Sequence, residues 1–187
     1  MRAISVPRLA RQHQRRLVFA VFGFVSSAVS VGVIALAASF THQPLVFPSL
    51  GPTAFLIFDR PRVTAAAPRN IVAGHVIGVL AGVGSLAAFG LLGETAPAGD
   101  ITTTRVLAAA LSLGLTVGAM VLLRVPHAPA AATTLIVSLG YLRRTVDLAA
   151  LLGAVVALAV QGILIDRIVG IDYPLWASPR PPVQPPG

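Results

Sequence analysis

Four long runs of apolar residues alternate along the chain with short polar segments. They cover residues 17–40, 71–92, 106–123 and 148–165. Because a bilayer core about 30 Å thick requires about 20 apolar residues in an α-helix, each run predicts a membrane-spanning helix. Asn70, just before the second run, has the side chain of a helix N-cap, and we expect it to begin that helix.

Two shorter apolar stretches, residues 45–58 and 128–142, lie between the long runs. Each has a proline near its start, and proline suits the first turn of a helix because it fixes φ and has no N–H to donate. We therefore predict helices that start at Pro52 and Pro129, after a few irregular or extended residues. About 7 extended residues and about 7 helical ones together span roughly 33 Å, which is enough to cross a membrane.

The order of elements is the same in both halves of the chain: long, short, long. The two short stretches also align, as Pro48-x-x-Gly51-x-x-Ala54-x-x-Ile57 and Pro126-x-x-Pro129-x-x-Ala132-x-x-Leu135. Since three crossings place the start of the second half on the opposite side, we predict an inverted 3+3 repeat with halves at residues 17–92 and 105–169. Paired short segments broken by Pro or Gly often mark the binding site of a transporter.

The composition places these elements in a membrane. Hydrophobic residues make up 56% of the chain and charged residues 11%, with a mean hydropathy of +0.85. A soluble domain has about 25% charged residues, so a soluble enzyme and a disordered chain are both excluded. We predict an all-α integral membrane bundle in residues 17–169, between a basic segment at 1–16 and a flexible Pro-rich tail at 170–187. For the first run, a cleaved secretory signal is the alternative.

Arginine supplies the positive charge of the chain, since 14 Arg and no Lys stand against six acidic residues for a net charge of +8. In a soluble protein this excess would suggest a nucleic-acid partner, but these arginines lie between apolar runs and we expect none. With a cytoplasmic N-terminus and six crossings, Arg105, Arg143 and Arg144 lie outside and the other eleven arginines inside. The positive-inside rule therefore favours six crossings. We expect the protein to lie in a bacterial inner membrane, with its N-terminus in the cytoplasm.

Two alternative topologies remain open. If both short stretches are re-entrant, the arginines divide into eight inside and six outside. If only the first short stretch crosses, the division is again eleven to three, so the charges do not separate this arrangement from six crossings. The repeat favours six crossings because it gives both halves the same elements.

Glycines at four-residue spacing predict close helix contacts, because small residues let backbones approach in lipid. Gly74, Gly78 and Gly82 form one such series in the second run, and Gly114 and Gly118 form another in the third. These faces can pack within one chain or between chains. Because six spans make a thin bundle, we expect a homodimer or a higher oligomer.

Few residues are candidates for chemistry. The chain has no Cys, and its sequence shows no metal-ligand spacing, nucleophile motif or phosphate loop, so we expect no enzyme, no metal site and no cofactor. Asp59, Asp147 and Asp166 each have an arginine close in sequence, which predicts local ion pairs.

The remaining polar groups collect at the two short stretches and at the start of the second long run. A helix that begins within the membrane directs unpaired N–H groups and a partial positive charge at whatever precedes it, so two such starts predict a site for an anion or a polar solute. We expect the binding or pathway residues to be Ser49, Gly51, Thr53, Arg69, Asn70, His75, His127, Thr133 and Thr134. The alternative is that Ser and Thr only satisfy backbone carbonyls at broken helices.

Two histidines stand out in this set. An ionisable residue within a span is costly and usually faces the protein interior or a water path. His75 can therefore be a proton relay, a pore-lining donor or a residue that only bonds a neighbouring helix. His127, at the start of the second short helix, can donate to a bound anion or cap nearby backbone groups.

These residues resemble the HPP family of integral membrane proteins, over residues 20–167. The resemblance rests on Pro48-Ser49-Leu50-Gly51, on Pro68-Arg69-Asn70-Ile71-Val72-Ala73-Gly74-His75, and on Pro126-His127-Ala128-Pro129-Ala130-Ala131-Ala132-Thr133. The naming motif, His-Pro-Pro, is His127-Ala128-Pro129 here, without the middle proline. The resemblance implies four transmembrane helices, and some plastid and cyanobacterial members are associated with nitrite transport.

The resemblance and the two short segments together predict a function. We expect a protein of the lipid bilayer that transports a small anion such as nitrite. The alternative is a structural or regulatory membrane subunit that has no solute path.

Overall fold

The computed structural model describes residues 5–7, 15–96 and 101–177, and within these ranges it contains no strand. It gives the bounds of six α-helices: α1 (Arg15–Thr41), α2 (Leu50–Asp59), α3 (Pro68–Ala88), α4 (Thr103–Leu122), α5 (Ala130–Ser138) and α6 (Thr145–Ile168). A 3₁₀ turn, Thr64–Ala66, joins α2 to α3. Most of the predicted basic N-terminal segment and of the Pro-rich tail lies outside the described residues.

The four long helices, α1, α3, α4 and α6, are long and apolar enough to cross a membrane. They correspond to the four long runs, so the prediction of an all-α bundle with four long spans is confirmed. The start of α3 differs from the prediction. Ala67 is its N-cap and Pro68 its first residue, where the missing N–H of proline costs nothing. Asn70 is therefore not an N-cap, and its side chain donates instead to the carbonyl oxygen of Thr64 over 2.8 Å.

The two short helices, α2 and α5, follow residues that are not helical. Residues 44–47 and 125–127 carry no regular structure, and each is followed by a turn that leads into the helix. Pro129 is the N-cap of α5. Helix α2 starts at Leu50, two residues before the predicted Pro52, so Pro52 lies inside its first turn. Both positions suit proline, because neither requires a backbone N–H inside the helix.

Each short helix ends beside the start of the long helix that precedes it. Asp59 and Arg60, where α2 ends, line the same cavity as Arg15 at the start of α1. At the end of α5, the carbonyl of Gly140 accepts from the backbone N–H of Ala96, and Gly140 also contacts Arg105 at the start of α4. Each short stretch therefore ends close to the start of the helix that precedes it, which agrees with six crossings, and the number of crossings stays a prediction.

The contacts between helices follow one pattern in both halves of the chain. In the first half, α2 packs on α1, and both contact α6 of the second half. In the second half, α5 packs on α4, and both contact α3 of the first half. Helices α3 and α6 also pack on each other, so exchanging the two halves maps every one of these contacts onto another. The pattern supports the inverted 3+3 repeat, which stays a prediction.

Two equivalent glycine contacts fix the register between the halves. A Cβ at Gly82 of α3 would lie 2.8 Å from Cβ of Val137 in α5, and a Cβ at Gly162 of α6 would lie 2.6 Å from Cγ2 of Ile57 in α2. The two glycines are 80 residues apart in the sequence, and so are the residues that they contact. The starts of the two short helices, Leu50 and Ala130, are also 80 residues apart. The alignment of Pro48 with Pro126 is therefore wrong by two residues. Proline fits more than one position near a helix start, so matching prolines does not fix the register.

Only one of the two glycine series makes close helix contacts within the described part of the chain. Gly74, Gly78 and Gly82 press α3 against α5 and the turn before it, with Cβ positions 2.8 Å from His127, Ala130 and Val137 respectively. A methyl group at these positions would separate the helices, which is why small residues stand there. The exposed Gly114 and Gly118 have no atom within 4 Å of their Cβ positions. They make no close contact with the described part of the chain, and a contact between chains stays a prediction.

Replacing Gly162 with Ala tests the packing of α6 on α2. The new methyl group would overlap the side chain of Ile57, which is fully buried. We expect the free energy of unfolding to fall by about 1–3 kcal/mol, measured by thermal unfolding in detergent. Gly153→Ala is the matched control in the same helix, because nothing lies within 4 Å of its Cβ position. That change should be neutral or slightly stabilising.

Adding Ile57→Ala to Gly162→Ala identifies the contact. The Cβ at position 162 would then lie 3.7 Å from the Cβ of residue 57, an ordinary van der Waals distance. The double variant should therefore lose less stability than the sum of the two single variants. Strictly additive losses would show that the two residues do not touch.

Candidate functional site

Four polar side chains meet in the middle of the bundle. His75 comes from α3, His127 from the turn before α5, Thr53 from α2 and Thr133 from α5. None is more than 1% exposed. Because apolar surroundings offer these groups no water, they must satisfy one another. We call these four residues the histidine cluster.

His75 connects the cluster in two directions. Its Nδ1 lies 2.7 Å from the hydroxyl of Thr133. Its Nε2 lies 3.2 Å from Nε2 of His127 and 3.2 Å from the hydroxyl of Thr53. The two rings are tilted by 56°, with centroids 5.0 Å apart. His127 turns its other nitrogen, Nδ1, to the carbonyl oxygen of Ala65, 2.7 Å away.

These partners determine where the protons lie when both rings are neutral. A carbonyl oxygen can only accept, so Nδ1 of His127 carries a proton and donates to Ala65. Nε2 of His127 is then an acceptor, and the facing Nε2 of His75 must donate to it. Nδ1 of His75 is left to accept from the hydroxyl of Thr133. The bonds therefore run in one direction, from Thr133 through both rings to Ala65.

The first turns of both short helices reach this cluster. Thr53 and Thr133 are each the fourth residue of their helix, 80 positions apart, in the register of the repeat. The hydroxyl of Thr53 donates to the carbonyl of Ser49, 2.8 Å away, and lies 3.3 Å from Nε2 of His127. Both helix starts, with their partial positive charge, therefore converge on the histidine pair, as the two interrupted segments predict.

Other predicted site residues lie next to the cluster. Thr134 bonds the hydroxyl of Thr116 in α4 over 2.7 Å, which ties α5 to α4. Ser49 is fully buried, and its hydroxyl has no hydrogen-bond partner among the described residues. The same holds for the side-chain oxygen of Asn70. These groups extend the polar region toward the 3₁₀ turn before α3.

Two predicted residues do not join the cluster. Gly51 is exposed, with no atom within 4 Å of its Cβ position. The side chain of Arg69 is also exposed, in the first turn of α3, while Asn70 beside it is buried. An unpaired guanidinium is costly to bury, so it remains at the surface. The expectation that Arg69 adds its charge to the central site is therefore not met in this closed arrangement.

Several hydrogen-bond partners in and around the histidine cluster were not predicted from the sequence. The carbonyl of Ala65 has no signal in a sequence, because every residue carries one. Tyr173, after α6, is fully buried, and its hydroxyl donates to the carbonyl of Ala66 over 2.6 Å. Burial and the nearby charge of Asp166 raise the pKa of the Tyr173 phenol, so the hydroxyl keeps its proton and remains a donor. This bond braces the 3₁₀ turn, whose Ala65 carbonyl is the partner of His127.

The acidic residues are only partly paired as predicted. Asp59 lies 3.3 Å from Arg60, and Asp147 lies 2.6 Å from Arg144. The prediction for Asp166 is wrong: within the described ranges neither of its buried carboxyl oxygens has a hydrogen-bond partner, and Arg167 donates to the carbonyl of Tyr173 instead. The described residues hold no group of three or more His, Cys, Asp or Glu that could bind a metal ion.

The histidine cluster can supply hydrogen-bond donors once its rings separate. If His127 moves away, the N–H at Nε2 of His75 loses its acceptor and can donate to a ligand. The hydroxyl of Thr53 now donates to the carbonyl of Ser49. Its hydrogen can rotate about the C–O bond and donate to the same ligand instead. The donor of Thr53 lies in the first turn of α2, and the ring of His75 contacts Thr133 in the first turn of α5, so both donors are next to helix starts, an arrangement suited to an anion.

The protonated nitrogens of the cluster can be measured directly. In protein labelled with ¹⁵N-histidine, NMR should find the proton of His75 on Nε2 and that of His127 on Nδ1. His75→Gln and His127→Gln assign the signals. A proton on Nδ1 of His75 in the resting protein would contradict the assignment.

Thr133→Val provides the sharper test of the same bonds. It removes the hydroxyl that donates to Nδ1 of His75 and leaves a buried acceptor unsatisfied, at a cost of about 1–3 kcal/mol. The ¹⁵N chemical shift of that nitrogen should change, while the proton stays on Nε2, where His127 accepts it. Thr116→Val is the matched control, since it removes a buried hydroxyl that bonds Thr134 instead. It should leave both histidine signals unchanged.

Comparison with known families agrees with this architecture. Residues 12–174 match the family model of the HPP transmembrane region, and the match includes all six helices. No curated protein and no solved structure matches the chain. With its four long apolar helices, the chain is an integral membrane protein embedded in the lipid bilayer. It belongs to the HPP family.

Proposed function

We propose that the protein transports a small anion, nitrite or one of similar size, through the histidine cluster. Membrane transport is consistent with the HPP transmembrane family. The observation that carries the proposal is the meeting of two interrupted helices at one buried polar site. Thr53 and Thr133, in the first turns of α2 and α5, both contact His75. Transporters with internal repeats commonly bind solutes where such broken helices meet.

The charge around the cluster favours an anion over a cation. Two helix starts contribute partial positive charge, and the available side-chain donors are an imidazole N–H and hydroxyls. Among the described residues, no carboxylate forms a hydrogen bond or an ion pair with any of the four side chains. A small cation would therefore lack the negatively charged carboxylate ligands that usually balance its charge. We include in this proposal that the protein has no enzymatic activity.

Access to the cluster requires movement, because its four side chains are buried. Helix α3 carries His75, and its glycine face packs closely against α5 and the turn that holds His127. A small-residue face allows such a shift without repacking large side chains. We propose that one half of the repeat tilts against the other, separates the two rings and opens the cluster to one side at a time.

Uptake by liposomes tests the transport proposal. Purified protein in liposomes should take up nitrite faster than empty liposomes, and His75→Gln should reduce the initial rate at least about tenfold, because it removes the imidazole N–H that donates to the anion. This loss corresponds to one hydrogen bond to a charged ligand. His42→Gln, a change of an exposed histidine after α1, is the matched control and should transport normally.

The possible outcomes test two claims separately: that the protein transports small anions, and that the anion passes through the histidine cluster. No uptake above empty liposomes, for nitrite, nitrate and formate alike, would reject the transport of small anions. Normal uptake by folded His75→Gln and His127→Gln variants would leave transport standing and reject the histidine cluster as its path. Size-exclusion profiles and thermal unfolding must show that each variant is folded.

One observation favours a second candidate function, a structural or regulatory membrane subunit. In the closed arrangement every ring nitrogen of His75 and His127 already has a partner within the chain. A cluster that only holds helices together would look the same. This candidate predicts that His75→Gln lowers the unfolding temperature while neither it nor the unmodified protein produces anion flux.

A further inference from the structure

A basic cavity opens at the end of the bundle where α1 begins and α2 ends. Its volume is about 1000 Å³. Four arginines line it: Arg15, Arg16, Arg60 and Arg62. The one acidic residue in its lining, Asp59, is 3.3 Å from Arg60 and neutralises part of that charge. The cavity therefore presents a net positive surface at the edge of the membrane.

An apolar groove continues from this cavity along the bundle. The groove, of about 520 Å³, lies between α1 and α2. Phe19, Ala20, Phe58 and Asp59 line both spaces, so the two are continuous. Farther along, the groove is bordered by Gly23 and by aromatic and small side chains of both helices.

The groove faces the surface that lipid covers. Phe24 is 75% exposed and Phe55 60% exposed, and both belong to helices of the transmembrane domain. At the junction of the two spaces, the guanidinium of Arg15 lies over the ring of Phe19, 6.0 Å from its centre. A positive group thus stands where the polar cavity meets the apolar groove.

We propose that the cavity and groove together bind one anionic phospholipid, with its phosphate at the arginines and an acyl chain between α1 and α2. Basic pockets between transmembrane helices at the membrane edge bind anionic headgroups. A free anion would require only the basic cavity and would leave the apolar groove unexplained. A phospholipid matches both parts and their order along the bundle, polar at the edge and apolar toward the centre.

The site is separate from the histidine cluster. None of the four cluster residues lines either space. Lipid binding therefore stands whether or not the protein transports an anion. Its position on α1 and α2 means that a bound lipid would contact the first half of the repeat.

The arginine part of the site is tested by comparing lipids that differ only in charge. The full chain in detergent is titrated with phosphatidylglycerol and with phosphatidylcholine of the same acyl chains. Native mass spectrometry and thermal unfolding measure binding. We expect one phosphatidylglycerol per chain to be retained in preference to phosphatidylcholine. Arg16→Gln with Arg62→Gln should weaken its binding about tenfold to thirtyfold.

Arg124→Gln with Arg143→Gln is the control for charge. It removes the same number of charges from exposed arginines outside the cavity and should leave binding unchanged. Equal binding of the two lipids, or equal binding by both double variants, would overturn the proposal. Glycerol 3-phosphate supplies the headgroup alone. If it protects the protein as well as the lipid does, the cavity is a site for soluble anions and the proposal is wrong.

The groove part of the site is tested with glycines of α1. Gly23→Leu should fill the groove and weaken phosphatidylglycerol binding, because Gly23 lines it and has open space at its Cβ position. Gly32→Leu is the matched control, since Gly32 also has open space there but lies outside the groove. Unchanged binding by Gly23→Leu would overturn the acyl-chain assignment. Loss of an oligomer with Gly23→Leu, without any effect on lipid binding, would show that a second copy occupies the groove.

Discussion

An interrupted helix inside a membrane leaves backbone groups that lipid cannot satisfy, and this constraint organises the molecule. The irregular residues before α2 and α5, the first turns of both helices and the 3₁₀ turn between α2 and α3 must find partners inside the protein. The hydroxyl of Thr53 returns to the carbonyl of Ser49, and Nδ1 of His127 donates to the carbonyl of Ala65. The polar groups of the site therefore also complete the fold. Because the same bonds serve both purposes, stability and flux must be measured separately for each variant.

Close approach of α3 to α5 makes this arrangement possible. The Cβ position of Gly74 lies 2.8 Å from Cβ of His127, so a larger residue there would push the imidazole of His127 out of place. Gly74 and His75 are adjacent, and one turn of α3 thus both admits His127 and supplies its partner. The glycine series sets the distance between helices, and that distance sets the hydrogen bond between the two rings.

Much of the architecture follows from the sequence, because hydrophobic length and proline placement are local signals. The four long spans and the two short helices come from such signals, and Thr53, His75, His127 and Thr133 were all predicted to belong to one site. One local signal was misread. Asn70 looked like an N-cap, but Pro68 starts α3 earlier, so its side chain instead donates to the carbonyl of Thr64.

Contacts that form only in the folded chain could not be predicted from the sequence. Asp166 has an arginine next to it in sequence, but Arg167 points to the carbonyl of Tyr173. Ala65 enters the site only because the 3₁₀ turn between α2 and α3 folds against the turn before α5. The register of the repeat likewise appeared only when Gly82 and Gly162 were seen against Val137 and Ile57.

The predicted repeat accounts for the scaffold but not for the candidate site, because the two halves differ at the positions of the histidines. In the register of 80 residues, Val155 is the counterpart of His75, and Phe47 is the counterpart of His127. Both are buried and apolar. The contact of α5 with α3 is therefore polar, while the equivalent contact of α2 with α6 is a hydrophobic one. Thr53 and Thr133 keep the same position in both halves, and both contact His75. The histidine cluster therefore forms at only one of the two equivalent interfaces, with a threonine from each half.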